Sequence, residues 1–355
     1  MIGELRLLTQ QIAISNFQTP GELVAHMGAM QAQDYLGAKW AIGLRVPGNT
    51  ETDIDQAIID RTIVRTWPMR GTLHFVAADD VRWMLALLAP RIIARSKTRH
   101  TELGLDAHTF LRADEALANG LQGGKQLTRK EVLALFETAG ITTEGQRGYH
   151  LLGYAAQRAL ICLGAPRGKQ QTFTLLDEWI PKSRVLARDE ALAELARRYI
   201  TSHGPATLQD FVWWSGLLVA DARAGLAAAT GITEQKIDGV TYWLPTHLPQ
   251  KPGVATAAYL LPGFDEFLLG YTDRQTVLDT EHMQHVTPSK NGIFSAIIVL
   301  HGRVIGTWRR TLSKAGVTVS LSPFAPLKPV ERQAIEAAAM RYAAYLNAHL
   351  VLAEQ

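Results

Sequence analysis

The chain has 355 residues, 47% hydrophobic and 19% charged, with a formal net charge of +3. This is ordinary globular composition, enough for about two to four modules, and the basic excess is too small to prove a nucleic-acid partner unless the basic residues cluster. The single cysteine, Cys162, excludes an intrachain disulfide and a cysteine-based zinc site, and fits a reducing cytoplasm.

The first residues, MIGELRLLTQQIAIS, carry Glu4, Arg6, Gln10 and Gln11. They lack the uninterrupted apolar run of a signal peptide. No stretch of about 18 uncharged apolar residues follows, so no transmembrane helix is expected.

A capping box recurs along the chain. In TPGE, Thr19 caps a helix, Pro20 takes its first position and Glu22 its third. TRKE at Thr128–Glu131 repeats it, and TLQD at Thr207–Asp210 does so with aspartate. Each opens a short apolar helix, with one helical segment before it and another after it, near Leu36–Arg45, Gly148–Leu160 and Val219–Thr230. A hairpin candidate then follows. The first turns around Pro68–Gly71, the second carries Arg167 and Lys169 in its loop, and the third bends at Asp238-Gly239. Three helices and a hairpin is the plan of a winged helix-turn-helix.

Between the first and second modules the pattern predicts one long helix, Ala78–Lys97. The stretch Thr246–Gly253, with Pro249 and Pro252, reads as a linker. Beyond it, VATAAYLLPGFDEFLLGY, NGIFSAIIVLHGRVIGTW and GVTVSL are β-rich, and a helix from Val330 to Leu350 closes the chain. The expected fold is α+β, mainly α: tandem winged helix-turn-helix modules with a C-terminal β-barrel-like domain. The modules run 1–100 (with the connecting helix), 101–180 and 181–248, and the barrel-like domain with its helix 249–355.

Arg91, Arg95 and Arg99 are four apart, so a continuous helix would align them on one face, as a phosphate-contacting stripe or a solvated surface. Arg167 and Lys169, on a wing-like loop, admit the same two readings. In RTWPMRGTLHFV, residues Arg65, Arg70, Thr72 and His74 alternate with apolar ones, giving the hairpin one polar, basic face. Trp67 near its bend meets a partner or folds onto the core. His282 and His285 stand three apart without a third ligand, so no metal is expected. In FDEF, adjacent Asp265 and Glu266 point apart on a strand, which favours a structural role over acid–base chemistry. No Walker loop or nucleophile elbow appears.

Gln31 and Gln33 are two apart in GAMQAQDYLGAKWAIGLR. Such residues do not share a face in an α-helix. They could be a polar helix end. They face one cleft only if the helix ends before them or the segment is extended, and Asp34 and Gly37 favour an ending there.

MQAQD, RTW-MRGTLH, SHGPATLQDFVWWSGL, LLPGFDEFLLGY and GRVIGTW, in this order over nearly the whole chain, resemble the winged-helix DNA glycosylases, the family that unhooks azinomycin-type interstrand crosslinks. The resemblance implies tandem winged helices around a DNA-binding face, then a β-barrel. It matches Gln31-Ala32-Gln33 to the family's glutamine–apolar–glutamine motif, giving Gln31 and Gln33 the catalytic role of holding an attacking water. It implies a monofunctional DNA glycosylase that excises N7-alkylated purines and unhooks crosslinks, without cofactor or metal. Its implied partner is damaged double-stranded DNA, for which Arg65, Arg70, Thr72, His74, Arg91, Arg95, Arg99, Arg167 and Lys169, singled out above by charge and spacing, are the candidate contacts. The expected protein is a cytoplasmic, nucleoid-associated monomer without membrane contact. The competing reading is a non-enzymatic winged-helix DNA-binding protein or transcriptional regulator.

Overall fold

The computed structural model describes residues 1–248, 257–288 and 292–354. Most of the expected linker Thr246–Gly253 lies outside them. All three capping boxes form. Thr19, Thr128 and Thr207 accept from the backbone N–H of Glu22, Glu131 and Asp210, whose carboxylates bond back to the cap N–H. They start the helices Pro20–Met27, Arg129–Thr138 and Leu208–Ser215. Helices precede them at Ile2–Thr9, Ala107–Leu121 and Arg188–His203, and follow at Tyr35–Arg45, Arg147–Gln157 and Val219–Ala228. The first set gains an unexpected helix, Glu51–Ile59.

The hairpins also form. Ile63–Met69 pairs with Thr72–Ala77 across a turn whose two central residues, Arg70 and Gly71, both have positive φ. Ile232–Ile237 pairs with Val240–Pro245 across Asp238 and Gly239 in the same conformation. Such mirror-image turns match the right-handed strand twist. Ile161–Leu163 pairs with Thr172–Leu175.

The described residues divide into two compact units, Met1–Ile54 with Leu192–Gln355, and Asp55–Ala191. The second holds an apolar core. The helix Ala107–Leu121 buries Phe110, Ala113, Leu117 and Leu121, spaced three and four apart, so they form one stripe. Against it pack Val132 and Phe136, Leu151 and Leu152, and Ile161, Leu163 and Phe173. Strand order within this unit is Thr72–Ala77, Ile63–Met69, Ile161–Leu163, Thr172–Leu175, Leu127–Thr128.

Two expectations need correction. The helix predicted over Ala78–Lys97 is a 3-10 turn, Ala78–Asp80, followed by a helix, Val81–Arg95, that stops at Ser96. The Ser96 hydroxyl donates back to the Ile92 carbonyl, and Lys97–Glu102 forms a separate helix. Spacing therefore no longer puts Arg99 on the face of Arg91 and Arg95. The C-terminal strands form an open sheet, not a closed barrel. Their order is Leu350–Glu354, Gly316–Pro323, Arg303–Ser313, Ile297–Leu300, Ala258–Leu261. The helix Pro329–Tyr345 ends early enough for the chain to return as Leu350–Glu354, parallel to Gly316–Pro323. That helix packs on the strand Ala258–Leu261 and on the helix Tyr35–Arg45. Among the described residues no helix is long and apolar enough to cross a membrane.

Candidate active site

The glutamine pair lies between two helix boundaries. The helix Pro20–Met27 ends at Gly28, whose φ of +76° is strained for any residue with a Cβ. The chain leaves it extended, as the strand Ala29–Gln31. It re-enters helix at Asp34, whose Oδ1 accepts the Gly37 N–H at 3.1 Å. Gly37 permits this cap, because a Cβ there would stand 2.4 Å from Asp34 Oδ2. An extended segment is the condition under which residues two apart face the same side. Accordingly, Gln31 Nε2 donates to Gln33 Oε1 at 3.3 Å, while Ala32 between them is fully buried.

The two glutamines differ in exposure. Gln33 reaches solvent, whereas Gln31 is 9% exposed. Gln31 Oε1 is buried and has no hydrogen-bond partner among the described residues. Of the pair it is therefore Gln33 that solvent reaches, with Gln31 held behind it by their shared hydrogen bond.

Beneath the pair lies a polar layer. The Gln31 backbone N–H donates to Glu266 Oε1 at 3.0 Å. Glu266 Oε2 accepts from Trp214 Nε1 at 3.0 Å and lies 3.3 Å from His203 Nε2. His203 Nδ1 stands 2.7 Å from the Ser202 hydroxyl. Burial holds the His203 pKa below the usual imidazole value, against the opposing pull of Glu266. A neutral ring carries one N–H, and the carboxylate, the stronger acceptor, draws it to Nε2, while the Ser202 hydroxyl donates to the Arg198 carbonyl at 2.7 Å.

Asp265, one residue before, faces another partner. It forms a bidentate ion pair with Arg45, Oδ2 to Nη1 at 2.9 Å and Oδ1 to Nη2 at 2.8 Å, both side chains essentially inaccessible. Arg45 also donates to the Gln10 carbonyl, Gln10 Oε1 and the Ala41 carbonyl. Gln10 Nε2 donates to the Tyr271 hydroxyl, which donates to the His203 carbonyl at 2.6 Å. The two carboxylates do point apart, though at the start of a short helix, Glu266–Leu269, rather than on a strand.

The other sequence-predicted residues lie in the second unit. Arg65 and His74 are buried in their hairpin, so its basic face is not a solvated one. His74 contacts the Thr72 carbonyl through Nδ1 at 2.9 Å and Arg70 Nη2 through Nε2 at 3.4 Å, and both Arg70 and Thr72 are partly exposed. Trp67 folds onto the core and stacks on Phe173. Arg91 and Arg95 are exposed; Arg99 is exposed and bonds Glu102 and Gln146. Arg167 and Lys169 are exposed; Arg167 pairs with Glu131 at 3.0 Å, and Lys169 lines a hollow with Thr128, Arg129 and Lys130. In the first unit, His282 and His285 pack against Phe324.

Sequence reasoning missed Glu266 as the neighbour of Gln31, and His203 and Trp214 as the partners of Glu266. A signal existed: they lie in LLPGFDEFLLGY and SHGPATLQDFVWWSGL, two segments of the family resemblance that converge on MQAQD.

Comparison with known proteins agrees over the same range. Residues 24–345 match the family of AlkZ-like DNA glycosylases. An interstrand DNA cross-link repair glycosylase of Streptomyces sahachiroi is 29% identical over 343 residues, 89% of each chain. The structure of the Streptomyces sahachiroi DNA glycosylase AlkZ is similar with a TM-score of 0.82 and 25% identity, over 99% of this chain and 98% of that one.

Proposed function

The chain belongs to the AlkZ-like DNA glycosylase family, and from that premise we propose that it is a monofunctional DNA glycosylase releasing N7-alkylated purines, including those joined in interstrand crosslinks. The observation that carries this reading is the hydrogen-bonded pair of carboxamides, Gln31 Nε2 to Gln33 Oε1, with Gln33 open to solvent.

Two carboxamides are poor general bases, so the chemistry must need little base assistance. Alkylation at N7 makes guanine cationic, and its departure neutralises that charge. The glycosidic bond then breaks through an oxocarbenium-like sugar, as in other glycoside cleavages. What remains is to hold a water on the correct face of the sugar. The Gln33 carboxamide, which reaches solvent, accepts one water proton, and Gln31, bonded to it, fixes the orientation of the pair. Positioning of this kind is worth several kcal/mol, up to about 7–11 in ideal intramolecular cases.

Phosphate contacts supply affinity on this reading. Exposed Arg91, Arg95, Arg99, Arg167 and Lys169 are the candidates, with Arg70 and Thr72 presented by the hairpin that Arg65 and His74 fill from within. The Streptomyces relative's name adds crosslinks to the proposed substrates. A crosslinked base remains tied to the opposite strand and does not flip into a closed pocket, so exposure of Gln33 suits it.

The test is to incubate the protein with duplex containing N7-methylguanine and count abasic sites. Wild type should release the base. Gln33→Ala should bind the duplex as wild type does and release it about 100-fold more slowly. Tight binding to one promoter sequence with no base release would replace this reading with that of a regulator.

A further inference from the structure

The geometry assigns Glu266 as the positioning residue for base release: it holds the Gln31 main chain so that the Gln31 carboxamide stays bonded to, and orients, that of Gln33. This rests on the reading of Gln31 and Gln33 as the water-holding pair.

Three observations converge. First, Glu266 acts at the point that matters. Its Oε1 accepts the N–H of Gln31 itself, fixing the backbone from which that carboxamide projects. The cap at Asp34 holds the same segment from the other side, and Gly28 sets its entry. Second, Glu266 is itself immobilised. Trp214 and His203 both approach Oε2, and the His203 ring stacks on Tyr199 at 4.8 Å. A Cβ at Gly270 would lie 2.7 Å from His203 Cδ2, so that helix end closes directly on the ring. Third, Glu266 is badly placed to be the base. It is 2% exposed, one oxygen is taken by the Gln31 N–H and the other by two ring N–H groups. It acts through Gln31 rather than on water.

A position that needed only packing would not bury a carboxylate and gather three donors around it. Buried charge is tolerated where several donors converge on it, and here Gln31, His203 and Trp214 reach Glu266 from three separate segments. The motif FDEF thus divides its labour: Asp265 anchors the Arg45 end of the helix Tyr35–Arg45, and Glu266 the strand before it.

The test is a double-mutant cycle read by single-turnover release of N7-methylguanine, with duplex affinity measured alongside. Glu266→Ala should slow release by about 10- to 100-fold with affinity within about twofold of wild type. Glu266→Gln, whose carboxamide oxygen still accepts from Gln31, should recover much of that loss. In the Gln31→Ala background, Glu266→Ala should add little, because its effect passes through the missing side chain. Wild-type rates in Glu266→Ala, or a full multiplicative loss in the double variant, overturn the assignment while leaving the glutamine reading intact. A wild type that releases no base overturns both. If Glu266→Ala does not fold, the same cycle with Glu266→Asp, which draws the acceptor back by one methylene, decides in its place.

Discussion

Two regions bury different things, the helical core of the second unit and the surroundings of the glutamine pair in the first. The helical core of residues 105–173 is filled by Leu117, Leu121, Val132, Phe136 and Leu151, side chains with no polar atoms. The unit carrying the glutamines buries Arg6, Gln10, Arg45, His203, Asp210, Asp265 and Glu266. An apolar core tolerates many arrangements of similar volume. A buried polar network tolerates few, since each donor needs its acceptor at about 3 Å. The region that must hold a carboxamide in one orientation is the one built on geometry rather than volume.

Substitutions can break or sharpen that contrast. The largest effect is expected from Asp265→Ala, which leaves the inaccessible Arg45 guanidinium without its carboxylate. Removing one partner of a buried pair costs about 3–5 kcal/mol, and hydrogen exchange should rise across the Gln10, Ala41 and Tyr271 segments while residues 107–157 stay protected. Leu117→Ala should do the reverse. It costs about 2–5 kcal/mol by cavity formation and loosens 107–157 without touching the glutamine segment. Equal exchange patterns in the two variants would contradict the division.

Acid comes next. Burial holds the His26 pKa down to about 4 while its Nε2–H serves the Thr9 carbonyl, and burial lowers His203 as well. The unfolded chain, with ordinary imidazoles, binds protons that the folded one refuses. Stability from these neutral rings is therefore full above about pH 6.5 and is lost as pH falls toward about 4. The melting temperature should drop between pH 7.5 and pH 5, and less so in His26→Gln, which keeps a donor for Thr9. An identical drop in both proteins would remove His26 from the account. The smallest effect is at the surface of the helix Leu208–Ser215, where Thr207→Ala removes a cap and should cost about 1 kcal/mol in urea denaturation.

What the sequence disclosed was local. Thr19, Thr128 and Thr207 announce their helices because a capping box closes within four residues. Asp238-Gly239 announces its turn because the constraint is on two φ angles. The Gln31–Gln33 pair was legible conditionally: side chains two apart meet only in extended chain, and Asp34 indicated where helix resumes. Non-local contacts were hidden. Glu266 meets Gln31 across 235 positions, and no periodicity encodes that. Sheet closure was hidden for the same reason, since alternating strands read alike in a barrel and in an open sheet. The Arg91–Arg99 stripe failed at one residue, Ser96, where one helix ends and the next begins, its hydroxyl and N–H both bonded to the Ile92 carbonyl. Trp67 was ambiguous until Phe173 supplied its stacking partner.

The central claim is that a cationic leaving base lets two carboxamides suffice, and it is tested most directly by comparing single-turnover release of N7-methylguanine and of uracil from otherwise identical duplexes, for wild type and for the Gln31→Ala/Gln33→Ala double variant. The account predicts rapid release of N7-methylguanine, almost none of uracil, and loss of release in the double variant with DNA binding kept. Efficient uracil release, or an unchanged N7-methylguanine rate in the double variant, would contradict it.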